Sequence, residues 1–164
     1  MLFRSRLIGQ PSPILAGLAR KISTQSQIAA FLPQGPVKIG EGWPINLGKF
    51  AQMIAGGGEV DIAASTGEGK LVEVRQRADG RFFGAIKLDL KLAVKNMRGM
   101  QFNPPATLEY KATLDTAIDG STTMGTLVLT GKLSGKGFVE NKGKRFAQEV
   151  TQEFSGRQER SAEK

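Results

Sequence analysis

Ala85-Ile86-Lys87-Leu88-Asp89-Leu90-Lys91-Leu92-Ala93-Val94-Lys95 decides the fold class. Five aliphatic residues recur at every second position against Lys87, Asp89, Lys91, Ala93 and Lys95, and of the regular structures a strand sends such a series to one face. The same period returns in Leu108, Tyr110, Ala112, Leu114, Thr116 and Ile118, then more loosely over Thr126 to Leu133. Between these runs stand Asp79-Gly80, Asn103-Pro104-Pro105, Asp119-Gly120 and Asn141-Lys142-Gly143, all of them turn chemistry. Sequential strands joined by short turns form an antiparallel meander.

Upstream of the long strand, Val60, Ile62 and Ala64 begin the sheet, and Leu71 to Arg77 follows a Gly67-Glu68-Gly69 turn. Downstream, Arg145 to Phe154 fits a helical face as well as a strand, because Phe146, Val150 and Phe154 are spaced by four. The β-branched Val150 and Thr151 and the flanking glycines favour a strand. Gly125, Gly131, Gly135 and Gly137 mark bulges or a tight bend.

Ahead of the sheet the pattern is helical. Pro13 opens a stripe of Ile14, Leu15, Leu18, Ala19 and Ile22; Thr24 caps a second short helix carrying Ile28, Phe31 and Leu32; Asn46 caps a third with Leu47, Phe50, Ala51 and Ile54 inward. Val37 to Ile39 is a short extended piece, and Gly40-Glu41-Gly42 is a turn that delivers Trp43, the single tryptophan, to plug a sheet end or helix junction. The expected fold is mainly β (α+β): a strongly curved antiparallel meander or partial barrel of five to seven strands, with two or three short helices packed on it. Its single domain spans 13–156, helical over 13–55 and sheet over 59–156. Residues 1–12 read as a leader, foreign to the domain or left by a truncated start, and 157–164 as a disordered polar tail. A truncated start makes the chain a fragment whose signal peptide, lipid anchor or further domain lies upstream.

Charge and composition narrow the chemistry. Of 23 basic residues, Arg4, Arg6, Arg20 and Lys21 fall in a stretch without acids; the other 19 face 15 carboxylates, an excess of four on an ordinary solvated surface. Lys87, Lys91 and Lys95, with Arg75, Arg77, Arg81 and Arg98, form a basic patch without the interleaved aromatics of a single-strand nucleic-acid platform, so no nucleic-acid partner is expected. With no His or Cys, imidazole and thiolate chemistry is missing from the whole chain, and a general base would have to be a carboxylate, Lys or Tyr. No catalytic residue, metal or cofactor is assigned, and no apolar run is long enough for a transmembrane segment. Gly56-Gly57-Gly58 is not a phosphate loop, since no Lys-Ser/Thr pair follows it.

Fifteen large side chains point to the apolar face of the sheet, including Ile118, Phe146, Val150 and Phe154, and the short helices supply about half as many to meet them. Three solutions exist: the sheet closes on itself, upstream residues cover it, or an apolar ligand binds there. In the last case Trp43, Phe50, Ile54, Leu90, Tyr110 and Leu129 are the ligand-binding candidates. The alternative function is a carboxylate-dependent hydrolase of cell-envelope polymers, built by bringing Asp61, Asp89, Asp115 or Asp119 together.

Leu32-Pro33-x-x-Pro36-Val37-Lys38-Ile39-Gly40-x-x-Trp43, followed by a helix and a meander with Leu-Asp-Thr-Ala-Ile-Asp-Gly at 114–120, resembles uncharacterised bacterial envelope proteins with a Pro-Val-Lys-x-Gly-x-x-Trp motif. The resemblance covers about residues 28–156. It implies a secreted, periplasmic or lipid-anchored protein of the cell envelope and carries over no catalytic residue. Taken with the residues above, the first expectation is a non-enzymatic scaffold or binding domain toward a lipid or other envelope component.

Overall fold

The structure, a computed structural model, describes residues 3–8, 31–54, 58–118 and 125–162. Its elements are β1 (Phe3–Ile8), β2 (Gly42–Pro44), α1 (Leu47–Ile54), β3 (Glu59–Gln76), β4 (Phe82–Met97), β5 (Met100–Ala117), β6 (Gly125–Asn141) and β7 (Lys144–Ala162). All strands join one antiparallel sheet in the order β1-β7-β6-β5-β4-β3-β2, open between β1 and β2. The chain is thus mainly β, with β2 to β7 in sequential order and β1 returning to the far edge.

Among the described residues α1 is the one helix, not two or three; the helices expected at 13–22 and 24–32 lie outside the described residues except for the end of the second, where Phe31 and Leu32 are a turn and a bend. Trp43, expected to plug a sheet end or helix junction, lies in β2, the last strand of the sheet, opposite Gly69. Residues 157–162, expected to be tail, continue β7 as the partner of β1, and Phe3–Ile8 of the expected leader supply β1 itself. Backbone pairing to a neighbouring strand orders these polar residues without any need for an apolar run.

The five main strands run to 16–19 residues, about 53–63 Å at roughly 3.3 Å per residue. Two expected turns are absorbed into them. Gly67-Glu68-Gly69 lies inside β3, opposite Leu90, Asp89 and Leu88 of β4. Asn103-Pro104-Pro105 lies inside β5, where the register with β6 jumps between Phe102 and Thr107; the Asn103–Pro104 peptide is cis. Pro carries no N–H for a ladder, so these residues stand out as a bulge.

The reversal from β4 to β5 falls earlier, at Arg98-Gly99, with φ of 51° and 81°. Lys142-Gly143 repeats that pattern between β6 and β7, with φ of 50° and 72°. Positive φ at both central positions twists the hairpin in the hand of its strands. At Asp79-Gly80, expected to have that same geometry, only Gly80 has positive φ, and Arg77 N–H to Arg81 C=O closes a three-residue loop. The Asp119-Gly120 turn lies outside the described residues.

Alternation sorts the sheet into two faces. Ile86, Leu88, Leu90, Leu92, Val94, Leu108, Tyr110, Ala112, Leu114, Leu127, Leu129, Leu133 and Phe154 are buried in one cluster, joined by Leu71, Phe102 and Ala106. Lys87, Asp89, Lys91, Glu109 and Lys111 occupy the solvated outer face, where Lys111 meets Asp89 at 3.7 Å and Lys132 meets Glu153 at 3.1 Å. Ile118 and Phe146, expected inside, are 43% and 51% exposed. Ile118 follows the last residue of β5 and Phe146 lies near the β6–β7 turn, so both stand at the ends of their strands.

Leu90→Asp would bury an unpaired charge in the cluster. That costs several kcal/mol against a total stability of about 5–15 kcal/mol, so urea denaturation should show the cooperative transition lost or shifted far down. Lys91→Ala, one residue away on the outer face, should move stability by no more than about 0.5 kcal/mol. Equal, small effects of the two would show that the face is not a closed core.

Candidate functional site

The candidate site lies where residues 31–54 cross the apolar face beside β3. The crossing segment is tied to the β3 edge by backbone bonds: Gly40 N–H to Leu71 C=O at 2.7 Å, Leu71 N–H to Glu41 C=O at 3.3 Å, and Ile45 N–H to Gly67 C=O at 3.1 Å. Glu41 closes the turn before β2 by accepting the Lys38 N–H at 2.8 Å. Asn46 caps α1 as its sequence position demands, its Oδ1 accepting the Lys49 N–H at 3.1 Å. With its cap fixed, α1 directs Phe50 and Ala51 into the core.

Two glycines of β3 make this close approach possible. A Cβ at Gly69 would fall 2.6 Å from the Trp43 indole, and one at Gly67 would fall 2.7 Å from Leu47. The indole therefore rests on bare backbone, and its Nε1 donates to the Phe31 carbonyl at 2.8 Å. That bond satisfies a buried donor and acceptor together, which is what allows Trp43 to be 7% exposed. Phe31 in turn packs edge-on to Phe50 at 5.1 Å between centroids, and Phe50 packs edge-on to Tyr110 at 5.4 Å. Such pairs each add about 0.5–1.5 kcal/mol beyond the area they bury.

Of the six ligand-binding candidates, Trp43, Phe50, Leu90, Tyr110 and Leu129 all belong to this one cluster and are buried by one another and their neighbours. Ile54 ends α1. Phe31, Ile45, Leu71 and Phe102 share the cluster but were not singled out from the sequence. Ile45 and Leu71 lie beside the turn and glycine positions that were read as chain reversals. The Gly-x-Gly spacing of 67 and 69 is the signal that was available: two glycines in one strand phase clear a track for bulky side chains from above.

Carboxylates are not brought together. Asp61 stands opposite Ala93, Asp115 opposite Ala85, and Asp89 lies between those two positions on β4. Successive carboxylates are therefore about 13 Å apart along the strand, beyond the roughly 5–9.5 Å of a hydrolytic pair. Each has a cationic neighbour: Lys95 at 3.4 Å from Asp61, Lys111 beside Asp89, and Arg75 on Asp115. The Asp61 carboxylate, by hydrogen bond and charge, holds the Lys95 ammonium above its ordinary value. Asp119 lies outside the described residues. Among the described residues no cluster of acidic side chains is arranged to hold a metal ion, and no helix is long and apolar enough to cross a membrane.

Two other arginines of the expected basic patch have local partners. Arg77 lies over the Phe83 ring at 3.6 Å, sealing a phenyl group that points away from the main cluster, and Arg81 meets Asp79 at 3.0 Å. No protein-family model, curated protein or solved structure matches this chain.

Burial pushes the Tyr110 phenol well above its ordinary value. An unfolded chain ionises its tyrosine near pH 10, so the folded state binds this proton longer, and the stability linked to it is present below pH 10 and lost as pH rises beyond it. Tyr110 is the single tyrosine, so a spectrophotometric titration reads it alone. The phenolate band should be delayed past pH 10 and appear together with loss of the fold; ionisation near pH 10 with the fold intact would mean that the ring is open to water.

Proposed function

We propose that this chain is a non-enzymatic scaffold or binding domain of the bacterial cell envelope, built as a strongly curved sheet whose apolar face is occupied by its own residues 31–54. The observation that carries this is the sealing of Trp43, Phe50, Leu90, Tyr110 and Leu129 into a single core. A lipid or acyl chain would enter that space only by displacing the crossing segment, with its three backbone bonds to β3 and the Trp43–Phe31 bond. Curvature is supported by the register shifts at Asp61/Thr66, Leu71/Glu73, Val94/Asn96 and Phe102/Thr107, since each extra residue bends its strand. The envelope location rests on the Pro-Val-Lys-x-Gly-x-x-Trp resemblance. A hydrolase draws no support from the spacing of Asp61 on β3, Asp89 on β4 and Asp115 on β5.

Native mass spectrometry of the recombinant chain, followed by organic extraction, tests the sealed face. The expected result is a chain mass without adduct, together with a blue-shifted Trp43 emission that phospholipid vesicles leave unchanged. A lipid retained in near-stoichiometric amount would replace the scaffold reading with a carrier whose crossing segment opens.

A further inference from the structure

The two edges of the sheet are treated differently. The β3 edge carries β2 and the bonds to residues 40, 41 and 45, and the register of β3 with β4 shifts three times. β7 pairs with β6 in unbroken register from Asn141↔Lys144 to Gly125↔Arg160. On its other side β1 covers Arg157 to Ala162, and among the described residues no strand pairs with Lys144 to Gly156. Among the described residues that leaves an edge of 13 residues in continuous register, without proline or bulge, the kind of surface that pairs with another strand.

The side chains on this edge are self-complementary. On the apolar face, Phe146, Gln148, Val150, Gln152 and Phe154 form a palindrome centred on Val150. Val150 is also the midpoint of the uncovered stretch. An antiparallel strand pair related by a two-fold axis places each residue opposite its mirror position, so such an axis at Val150 sets Val150 on Val150, Gln148 on Gln152, and Phe146 on Phe154 of the second copy. Because the axis stands perpendicular to the sheet, both apolar faces stay on the same side. Phe146, 51% exposed in the single chain, then gains the aromatic neighbour it lacks. In this register Gly156 meets the partner's Lys144, so the partner strand adjoins the stretch from Arg157 to Ala162 that β1 pairs with. The outer-face acids are already neutralised from β6, Glu149 by Lys136 at 3.9 Å and Glu153 by Lys132 at 3.1 Å, which eases their approach across the axis.

We propose that β7 of this chain pairs with β7 of a second copy about Val150, joining two sheets into one continuous sheet with a shared apolar face. The contact closes on itself, so it gives a dimer rather than a fibre. It stands on the edge geometry alone and is independent of the scaffold role.

The chain has no cysteine, which makes the test clean. In Val150→Cys the two thiols face each other across the axis at a Cα separation of about 4.5–5.5 Å, within disulfide reach. Mild oxidation should convert it to a cross-linked dimer. Ser155→Cys, whose copies lie ten residues apart in register, should stay uncross-linked. Light scattering should give the mass of two chains for the unaltered protein, and Phe146→Asp should raise the dissociation constant by at least about tenfold with the circular-dichroism spectrum retained. A monomer at all concentrations overturns the proposal, whether the 144–156 amides exchange rapidly or are protected by residues 9–30 of the same chain. Equal cross-linking of both cysteine variants overturns it too.

Discussion

The structure depends on the seating of Trp43 on the bare backbone of Gly69. A long antiparallel sheet with one apolar face is not stable in water until that face is covered, and here the cover is a short segment containing a two-turn helix. Such a segment has too few apolar residues to cover 16–19-residue strands by area alone. It compensates by approach: glycines at 67 and 69 bring Leu47 and Trp43 against the β3 main chain, so that Phe50 behind them reaches Tyr110 on β5. The Trp43–Phe31 hydrogen bond then fixes the start of the described segment to its middle. A β-carbon at Gly69 would lift the indole and open the contacts that follow from it.

The same device recurs on the other side of the sheet. Gly131 stands opposite Phe154, and the Phe154 ring occupies the space that a side chain at Gly131 would need. In a sheet with long strands, a glycine facing an aromatic exchanges local strand propensity for packing, since the ring folds over the gap and shields the neighbouring backbone. Large residues are thus held over small ones at both flanks, and the β4–β5 centre is packed by aliphatics in plain alternation.

That division explains what the sequence made legible. Where burial follows a period of two, as in β4 and the second half of β5, side-chain facing was readable residue by residue, because the register of a half-buried strand is fixed by its apolar set. Asn46 as a cap and Lys142-Gly143 as a turn were readable from local chemistry. Glycine and proline misled wherever their role was tertiary. Gly67-Glu68-Gly69 has the composition of a turn but serves as a track for Trp43, and Pro104-Pro105 has the composition of a break but forms a bulge in a continuing strand. The true reversal at Arg98-Gly99 carries an arginine where asparagine is the usual signal. For the candidate site, five of the six residues expected to line an apolar groove lie together in one buried cluster, while the parts of Phe31 and Ile45 in it depended on a crossing path that no periodicity encodes.

The central claim is that residues 31–54 are integral to the core rather than a detachable cover. Native-state hydrogen exchange measures this directly, because the Ile45 amide ties the crossing segment to Gly67 of β3, the Phe50 amide is bonded to Asn46 inside it, and Leu90 lies in β4. All three should exchange with the same free energy, that of global unfolding. Exchange of Ile45 and Phe50 at a much lower free energy than Leu90 would show a cover that opens while the sheet stays folded, and would contradict the account.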